Sequence, residues 1–338
     1  MKLLSSVSFG SYEAKNRVVM PPMCLYMAKD DGMVEPFHHT HYAARAIGEV
    51  GTIIVEATAV QKRGRISDFD LGLWDDSQID SHAKLVKEIK SYGALVGVQL
   101  SHAGRKSKSS TTKPVAPSKS KFSDEYDEAR ELSIDEIYEI IDSFISASKR
   151  AVEAGYDFVE IHGAHGYLIH QFLSPLTNLR DDKFGKDLLS RFNFLFEIVS
   201  RLKKENIVFG VRISASEWES GGFDIEDSKK LAVWLDFLGA SYIHVSSGGN
   251  HEKPSLMPKI EPFYQCGYAK EIKKVVNIPV IAVGLITTPN EGEALLKGEV
   301  CDMVAYGREL LRNPNLVLFA LANSDKSKIP NPYKRAFL

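Results

Sequence analysis

Cysteine is scarce in this sequence: the 338 residues contain three, Cys24, Cys266 and Cys301, which lie far apart. Their number and spacing match neither a disulfide framework nor the clustered thiolates that bind zinc or an iron–sulfur cluster. The His-Glu-x-x-His zinc motif does not occur either. Isolated free cysteines are typical of a reducing compartment, so the sequence predicts a cytoplasmic protein without a metal site.

An excess of one charge and long apolar runs are also missing. The 42 lysines and arginines nearly balance the 44 aspartates and glutamates, which leaves a net charge of -2. This balance gives no electrostatic reason to expect nucleic acid or an anionic membrane as a partner. The apolar run at the start is too short for a signal peptide, and no segment is long enough to span a bilayer.

Short apolar segments alternate with helical patterns along the chain. The apolar segments are nearly continuous runs, as in parallel strands that are covered on both faces. The predicted strands are 17–20, 52–56, 95–100, 158–162, 208–213, 242–245, 280–283 and 303–306. The predicted helices are 39–47, 79–91, 134–154, 188–204, 225–237, 267–276, 290–296 and 315–322.

Eight strand–helix pairs without a break in composition predict one α/β domain, a single (β/α)8 TIM barrel over residues 1–338. Ser133 and Glu136 have the capping-box spacing at the start of one predicted helix. Segment 106–130 is polar and shows no periodicity. It is interpreted as a long surface loop close to the mouth of the barrel.

One stretch, 157–180, combines a strand end with several chemically active side chains. The predicted strand stops at His162, and His165 and Tyr167 follow within five residues, separated by glycines that let the chain bend. These side chains could be solvated loop residues, but their position after a barrel strand favours an active site. No third ligand follows at fixed spacing, so a metal site is disfavoured. Imidazole N–H groups that donate to a substrate oxygen are the better interpretation.

Other polar residues follow strands in the same way. Arg212 lies in an apolar run and needs a buried partner, which could be an internal carboxylate or a bound anionic ligand. Gly284 follows the seventh strand, and Gly307 with Arg308 follows the eighth. These positions fit the usual phosphate site of such barrels, although glycines there could equally serve as turn residues.

Five segments of the chain resemble the old yellow enzyme family of FMN-dependent ene-reductases. In order, they are K-N-R-V-V-M-P-P-M-C-L-Y, G-R-I-S-D-F-D-L-G-L-W, V-Q-L-S-H-A-G-R-K, E-I-H-G-A-H-G-Y-L-I-H-Q-F-L-S-P and G-R-E-L-L-R-N-P. The chain is most similar to bacterial NADPH dehydrogenases of that family that carry a cysteine beside the flavin. The resemblance covers essentially the whole chain, and its fourth segment is the most specific.

The resemblance implies a tightly bound FMN, with NADPH as hydride donor and NADH also possible. Cys24 would adjust the redox potential, Gln99 would hydrogen-bond to the pyrimidine edge of the flavin, and Arg212 would lie beside its N1/O2 side. The phosphate would be held at the last two strands. The full set of implied flavin-binding residues is Pro21, Pro22, Met23, Cys24, Ala57, Gln99, Arg212, Gly284, Gly307 and Arg308.

The same resemblance implies how a substrate is bound and reduced. His162 and His165 would bind the carbonyl oxygen of an α,β-unsaturated aldehyde or ketone, assisted by Tyr26. Tyr167 would donate the proton in a ping-pong reaction, with Cys24 beside the flavin as the fourth catalytic residue. Nitro compounds are further expected substrates.

The C-terminal tail, about residues 325–338, is expected to contact a neighbouring subunit. The resemblance implies that Arg335 reaches into the partner's active site, so that the protein would be a homodimer or homotetramer that shares its sites. Tyr333 and Phe337 are expected to anchor the tail on the partner's surface.

Two other classes of barrel protein compete with this interpretation. A related reductase type adds an iron–sulfur cluster and a nucleotide-binding domain, which three scattered cysteines and 338 residues exclude. The other class is a flavin-free phosphate-binding barrel, such as an aldolase or a non-catalytic binding protein. No lysine lies at a strand end to form a Schiff base, and this class leaves the set Cys24, Tyr26, Gln99 and Arg212 unexplained. The colour of the purified protein separates the flavin enzyme from this second class.

Overall fold

The computed structural model describes residues 1–110 and 112–337. Eight strands of this part of the chain close into a parallel barrel. Around the barrel these eight strands follow one another in the same order as in the sequence, and the last pairs with the first. These barrel strands are β3 to β5 and β8 to β12 in the following series. The strands are β1 (Val7–Phe9), β2 (Tyr12–Ala14), β3 (Val18–Met20), β4 (Thr52–Ala59), β5 (Leu95–Ser101), β6 (Val115–Ala116), β7 (Arg130–Glu131), β8 (Phe158–Gly163), β9 (Phe209–Ser214), β10 (Ile243–Ser246), β11 (Val280–Ala282) and β12 (Met303–Ala305).

Helices surround the barrel. They are α1 (Pro36–Ile47), α2 (Ile79–Ser91), α3 (Ile134–Glu153), α4 (Leu168–Leu173), α5 (Leu188–Lys204), α6 (Ile225–Leu238), α7 (Cys266–Lys273), α8 (Pro289–Lys297), α9 (Arg308–Arg312) and α10 (Leu316–Ala322). Short 3-10 helices cover Lys2–Leu4, Lys62–Gly64, Asp76–Gln78, Gly104–Lys106, Lys326–Lys328 and Asn331–Phe337. Among the described residues, no helix has the length and apolar character that crossing a membrane requires.

The predicted (β/α)8 barrel is confirmed. Every predicted strand and helix is present, and each end differs from its predicted position by three residues or fewer. All residues of β4, β8 and β9 are buried, as expected for parallel strands with both faces covered. The capping box at the start of α3 is formed as well: the N–H of Glu136 donates to Ser133, and the N–H of Ser133 donates to the Glu136 carboxylate.

Strands β1 and β2 form an antiparallel hairpin that the sequence analysis did not predict. Phe9 of this hairpin packs against Phe158 and Tyr242, at the amino ends of two barrel strands, with ring centroids 5.2 and 5.5 Å apart. These aromatic rings fill the amino-terminal end of the barrel. A ligand therefore has access from the opposite end, where the carboxyl ends of the strands lie.

The segment 106–130 is less loop-like than predicted. It contains β6, which is buried and pairs with β7, and Ala129 near its end is also buried. Thr111 of this segment lies outside the described residues. Helix α4 was not predicted, because Ser174 and Pro175 close behind it break the helical pattern. Segment 106–130 is therefore packed only in part: β6 contacts α4 and the 3-10 helix Gly104–Lys106, whereas residues 119–128 are exposed or half-buried.

Candidate active site

The chain folds back sharply after His162, at the carboxyl end of β8. His165 and Gly166 adopt positive φ angles of 58° and 73°, and a Cβ on Gly166 would lie 2.3 Å from the carbonyl oxygen of Gly249. Only glycine fits this close approach of two backbones. The turn brings the three predicted side chains together, since the ring centroid of His162 lies 5.2 Å from that of His165 and 4.9 Å from that of Tyr167.

Both histidines of this loop are neutral. The N–H of Ala164 donates to Nδ1 of His162 at 3.4 Å, so Nε2 carries the proton of that imidazole. Nε2 of His165 forms a 2.7 Å hydrogen bond with the hydroxyl of Ser246. Burial, reinforced by the charge of Arg212, lowers the pKa of each ring well below its ordinary value. His162 can therefore offer its Nε2–H to a substrate oxygen, and His165 can offer its Nδ1–H when Ser246 donates to its Nε2. Neither ring supplies a positive charge.

The phenol of Tyr167 stays protonated at neutral pH. Burial raises its pKa well above the ordinary value, and the nearby Cys24 and Tyr26 act in the same direction. Burial raises the pKa of the Cys24 thiol, and neighbouring Tyr26 and Ala57 oppose this shift. Burial also raises the pKa of Tyr26 to about 12. This cluster thus consists of neutral hydrogen-bonding groups, one of which, Tyr167, can act as an acid.

A buried network fixes the side chain of Gln99. Its Nε2 donates to Glu160 at 2.8 Å, and the same carboxylate accepts hydrogen bonds from Tyr242 at 3.1 Å and forms one with His244 at 2.9 Å. Burial alone would raise the pKa of Glu160, but the charge and hydrogen bond of His244, together with other neighbours, lower it overall. The resulting carboxylate holds the Gln99 amide in one orientation.

Arg212 lies in the centre of the site. The strand register places it beside His162 on one side and His244 on the other. Its Nε is buried and has no hydrogen-bond partner in the described part of the chain. Glu160 attracts the guanidinium electrostatically, but no carboxylate among the described residues forms an ion pair with it. Of the two alternatives left open by the sequence, an internal carboxylate is insufficient, and a bound ligand is favoured.

A cavity of about 290 Å³ opens beside Arg212 at the carboxyl end of the barrel. Eight of its lining residues were predicted as site residues: Pro21, Pro22, Met23, His165, Arg212, Gly284, Gly307 and Arg308. The lining residues that were not predicted are Ser246, Tyr264, Gln265, Val283, Leu285, Ile286, Thr287, Glu309 and Arg312. The cavity thus joins the histidine loop to the predicted phosphate site, and two arginines lie at its phosphate end.

The remaining predicted flavin residues lie on the neighbouring strands. Ala57 is on β4, Gln99 is on β5, and Cys24 follows β3. They do not belong to the lining of the 290 Å³ cavity. The predicted site therefore covers the ends of both halves of the barrel.

Arg335 does not line the cavity of its own chain. It is exposed in the C-terminal 3-10 helix, and no described residue forms a hydrogen bond or ion pair with it. Phe337 packs against Phe319 with ring centroids 5.5 Å apart, and Tyr333 packs on the core. These contacts within the chain differ from the predicted anchoring of both aromatic side chains on a partner. Leu338 lies outside the described residues.

The sequence analysis missed three ionisable residues close to the site. Glu56, next to Ala57, accepts hydrogen bonds from the N–H of Leu25 and from Tyr42, both at 3.0 Å. Glu160 and Lys106 are the other two. Both glutamates interrupt apolar strands, which is the signal that identified Arg212, and the same criterion could have found them. Lys106 carries no such signal, because it begins a stretch rich in serine and lysine.

Comparison with known proteins identifies similar sequences and structures. The family model of the NADH:flavin oxidoreductase / NADH oxidase family matches residues 2–324. An NADPH dehydrogenase of Clostridium acetobutylicum is 43% identical over 345 residues and is covered completely, as is this chain. An NADPH dehydrogenase of Listeria monocytogenes is 42% identical over 340 residues, which are 99% of each protein.

Solved structures show the same architecture. Morphinone reductase in complex with tetrahydroNAD has a TM-score of 0.81 and 27% identity, covering 96% of this chain and 92% of the other. The old yellow enzyme homologue from Zymomonas mobilis also has a TM-score of 0.81, with 28% identity over 96% of this chain and 93% of the other.

Proposed function

The chain belongs to the NADH:flavin oxidoreductase / NADH oxidase family, and we propose that it is an ene-reductase that uses NAD(P)H to reduce the activated C=C bond of α,β-unsaturated aldehydes and ketones, and nitro compounds. Family membership confirms the resemblance to old yellow enzyme seen in the five sequence segments. The observation that carries the proposal is the arrangement of neutral His162, neutral His165 and protonated Tyr167 around one point at the barrel mouth.

The residues around the cavity fit FMN. Arg212 has a buried Nε without a described partner, which suits the N1/O2 side of a flavin. Gly307 and Arg308 would hold the phosphate, while Pro21 to Met23 line the same cavity. When bound, FMN supplies hydride transfer from NAD(P)H and then to the β-carbon of the substrate, in two half-reactions that use one site.

The side chains of the histidine loop perform the remaining chemistry. N–H groups of His162 and His165 bind the carbonyl oxygen and stabilise the negative charge that develops there. Tyr167 transfers its proton to the α-carbon, and water restores the phenol. The raised pKa of Tyr167 keeps this proton in place until the carbanion character at the α-carbon can accept it. Tyr26 adds a hydroxyl beside the same point.

Purified protein should be yellow and contain FMN in equimolar amount. Under anaerobic conditions NADPH should bleach the flavin absorbance, and 2-cyclohexenone or a nitroalkene should restore it. A protein that NADPH bleaches but that only molecular oxygen reoxidises would be an oxidase, and the proposed ene-reductase activity would be wrong.

We expect Cys24→Ala to change the midpoint potential of the flavin. A thiol next to the flavin hydrogen-bonds differently to its oxidised and reduced forms. Loss of one such bond, about 1 kcal/mol, corresponds to roughly 20 mV for two electrons. Spectroelectrochemical titration measures the shift, and Cys24→Ser, which keeps a hydrogen-bonding group, should shift less. An unaltered potential in both variants would show that Cys24 only packs.

We further propose a homodimer or homotetramer in which Arg335 acts in the partner's active site. The proposal is supported by the exposure of this guanidinium and by the lack of a described partner for it. Deleting residues 331–338 should weaken oligomerisation and raise the Michaelis constant for the enone several-fold, while FMN stays bound. Arg335→Ala should raise the Michaelis constant alone, and Lys334→Ala serves as the control. Unchanged assembly and kinetics after the deletion would leave the tail without a role.

We propose in addition that residues 1–338 form one FMN-binding domain in the cytoplasm. One hydrophobic core cluster includes residues from the first helical turn, Leu3, to Ile329 near the tail, which supports a single folding unit. Cys24, Cys266 and Cys301 are all free, as is usual in a reducing compartment.

A further inference from the structure

Lys106 is held against the histidine loop of the proposed active site by contacts with three different segments. It ends the 3-10 helix after β5, and its Nζ donates to the carbonyl oxygens of His165 and Gly249, both at 2.9 Å. The same Nζ lies 5.1 Å from the ring centroid of Tyr167 and 4.5 Å from that of Phe122. The ammonium group is therefore fixed behind the substrate-binding histidine loop.

No acidic side chain neutralises this ammonium group. Among the described residues, no carboxylate forms an ion pair with Lys106, and its partners are two carbonyl oxygens and two aromatic faces. Carbonyl dipoles and ring faces hold a cation in place but leave its net charge uncompensated. Burial, reinforced by the charge of neighbouring Arg105, lowers the pKa of Lys106 to about 8. The lysine is therefore mostly charged at pH 7.

The titratable groups that face Lys106 do not change charge near pH 8. His162 and His165 are neutral, and burial lowers the pKa of His170 on α4 to about 4. Burial keeps Tyr167 protonated, and Arg105 has a pKa of about 10 because it too is buried. Lys106 is thus the group of this set that loses its charge just above neutral pH.

We propose that Lys106 is a positioning residue of the ene-reductase, which orients His165 and supplies the positive charge that the neutral imidazoles lack. The inference rests on the proposed function. Hydride addition to the β-carbon moves the C=C electron pair toward the carbonyl group and leaves an enolate oxygen beside His162 and His165. The charge of Lys106 stabilises that oxygen through space. Lys106 transfers no proton itself, since the α-carbon receives its proton from Tyr167.

The charge effect has a predictable size and pH dependence. A full charge near the developing oxyanion in a partly screened site changes the rate of enolate formation on the order of tenfold to a hundredfold. Since Lys106 is charged below its pKa, the reoxidation rate with an enone should be high below about pH 8 and should fall as the pH rises above it. The reduction by NADPH should lack this decline.

Three substitutions separate charge from structure. Lys106→Met keeps the aliphatic stem, Lys106→Gln keeps an N–H donor without charge, and Lys106→Arg keeps the charge. Single-turnover reoxidation by 2-cyclohexenone is followed between about pH 6 and pH 10. The Met and Gln variants should be about 10- to 100-fold slower at pH 7 and show no decline near pH 8, whereas the Arg variant should remain fast and lose its decline. Exposed Lys108→Met is the control and should behave like the wild type.

A binding measurement without turnover completes the test. The oxidised holoenzyme is titrated with 4-nitrophenol, whose ionised form absorbs visible light and places an oxyanion at the carbonyl site. The wild type should bind the phenolate at least tenfold more tightly than Lys106→Met. If all variants bind it equally and the decline near pH 8 persists without Lys106, the proposal is wrong and the decline belongs to Glu56, whose pKa burial raises to about 8. If the wild type fails to reduce the enone but binds the phenolate in a Lys106-dependent way, the proposed function fails instead.

Discussion

Replacing Tyr167 by phenylalanine is expected to slow reoxidation by an enone about 10²–10⁴-fold, which is the usual worth of a general acid. Reduction by NADPH should stay nearly unchanged, because that half-reaction needs no proton from Tyr167. The variant keeps the aromatic ring, and with it the packing against His162. Stopped-flow absorbance of the flavin measures both half-reactions separately.

The control for this variant is Tyr138→Phe, which removes a distant hydroxyl whose described partner is Lys183. It should leave both half-reactions intact. Equal losses in the two half-reactions of Tyr167→Phe, or no loss in either, would show that Tyr167 is not the proton donor.

His162→Ala and His165→Ala should each slow reoxidation by about 10²–10³-fold, because each variant loses one N–H group that donates to the developing oxyanion. In the double variant, the fold-loss in rate should be smaller than the product of the two single fold-losses, since both donors act on the same oxygen. His162→Asn and His165→Asn retain an N–H donor and should recover part of the rate. The measurement is single-turnover reoxidation at saturating enone.

A different pattern would contradict the assigned role. If asparagine and alanine at His162 or His165 behave alike and only the retention of FMN changes, these histidines support the cofactor and not the substrate. If His165→Ala mainly slows reduction by NADPH, the residue positions the nicotinamide.

The barrel was predictable because its strands are buried on both faces and therefore appear as apolar runs. Segment 208–213 shows this well: its pattern was recognised despite Arg212, and β9 begins and ends one residue later than predicted. Helix α4 was missed because its six residues are too few for a visible period, and the adjacent Ser174 and Pro175 obscure it. The β1–β2 hairpin was missed for the same reason, since three-residue strands leave no alternation to detect.

The site was predictable where chemistry follows a strand end. His162, His165 and Tyr167 were found by that rule, and the structure brings them together. Lys106 was not found, because its environment depends on carbonyl oxygens contributed by two distant loops. The partial burial of Lys106 in a serine-rich stretch is a tertiary property that the local sequence does not encode.

The packing of the tail could not be predicted either. The anchoring of Tyr333 and Phe337 on another subunit stays a prediction, whereas the packing of Phe337 on Phe319 of its own chain was not predicted. An aromatic side chain in a terminal segment is expected to pack on an apolar surface. The sequence of the segment does not show whether that surface belongs to the same chain or to another subunit.

Isotope labelling of one product tests the central claim most directly. The holoenzyme reduces 2-cyclohexenone anaerobically, once with NADPH deuterated at the transferred position in H₂O and once with unlabelled NADPH in D₂O. Hydride delivery to the β-carbon and proton donation by Tyr167 predict deuterium at C3 of cyclohexanone in the first product and at C2 in the second, as read by NMR. A saturated ketone with the two labels exchanged, or the absence of saturated ketone while NADPH is consumed, would contradict the proposed function.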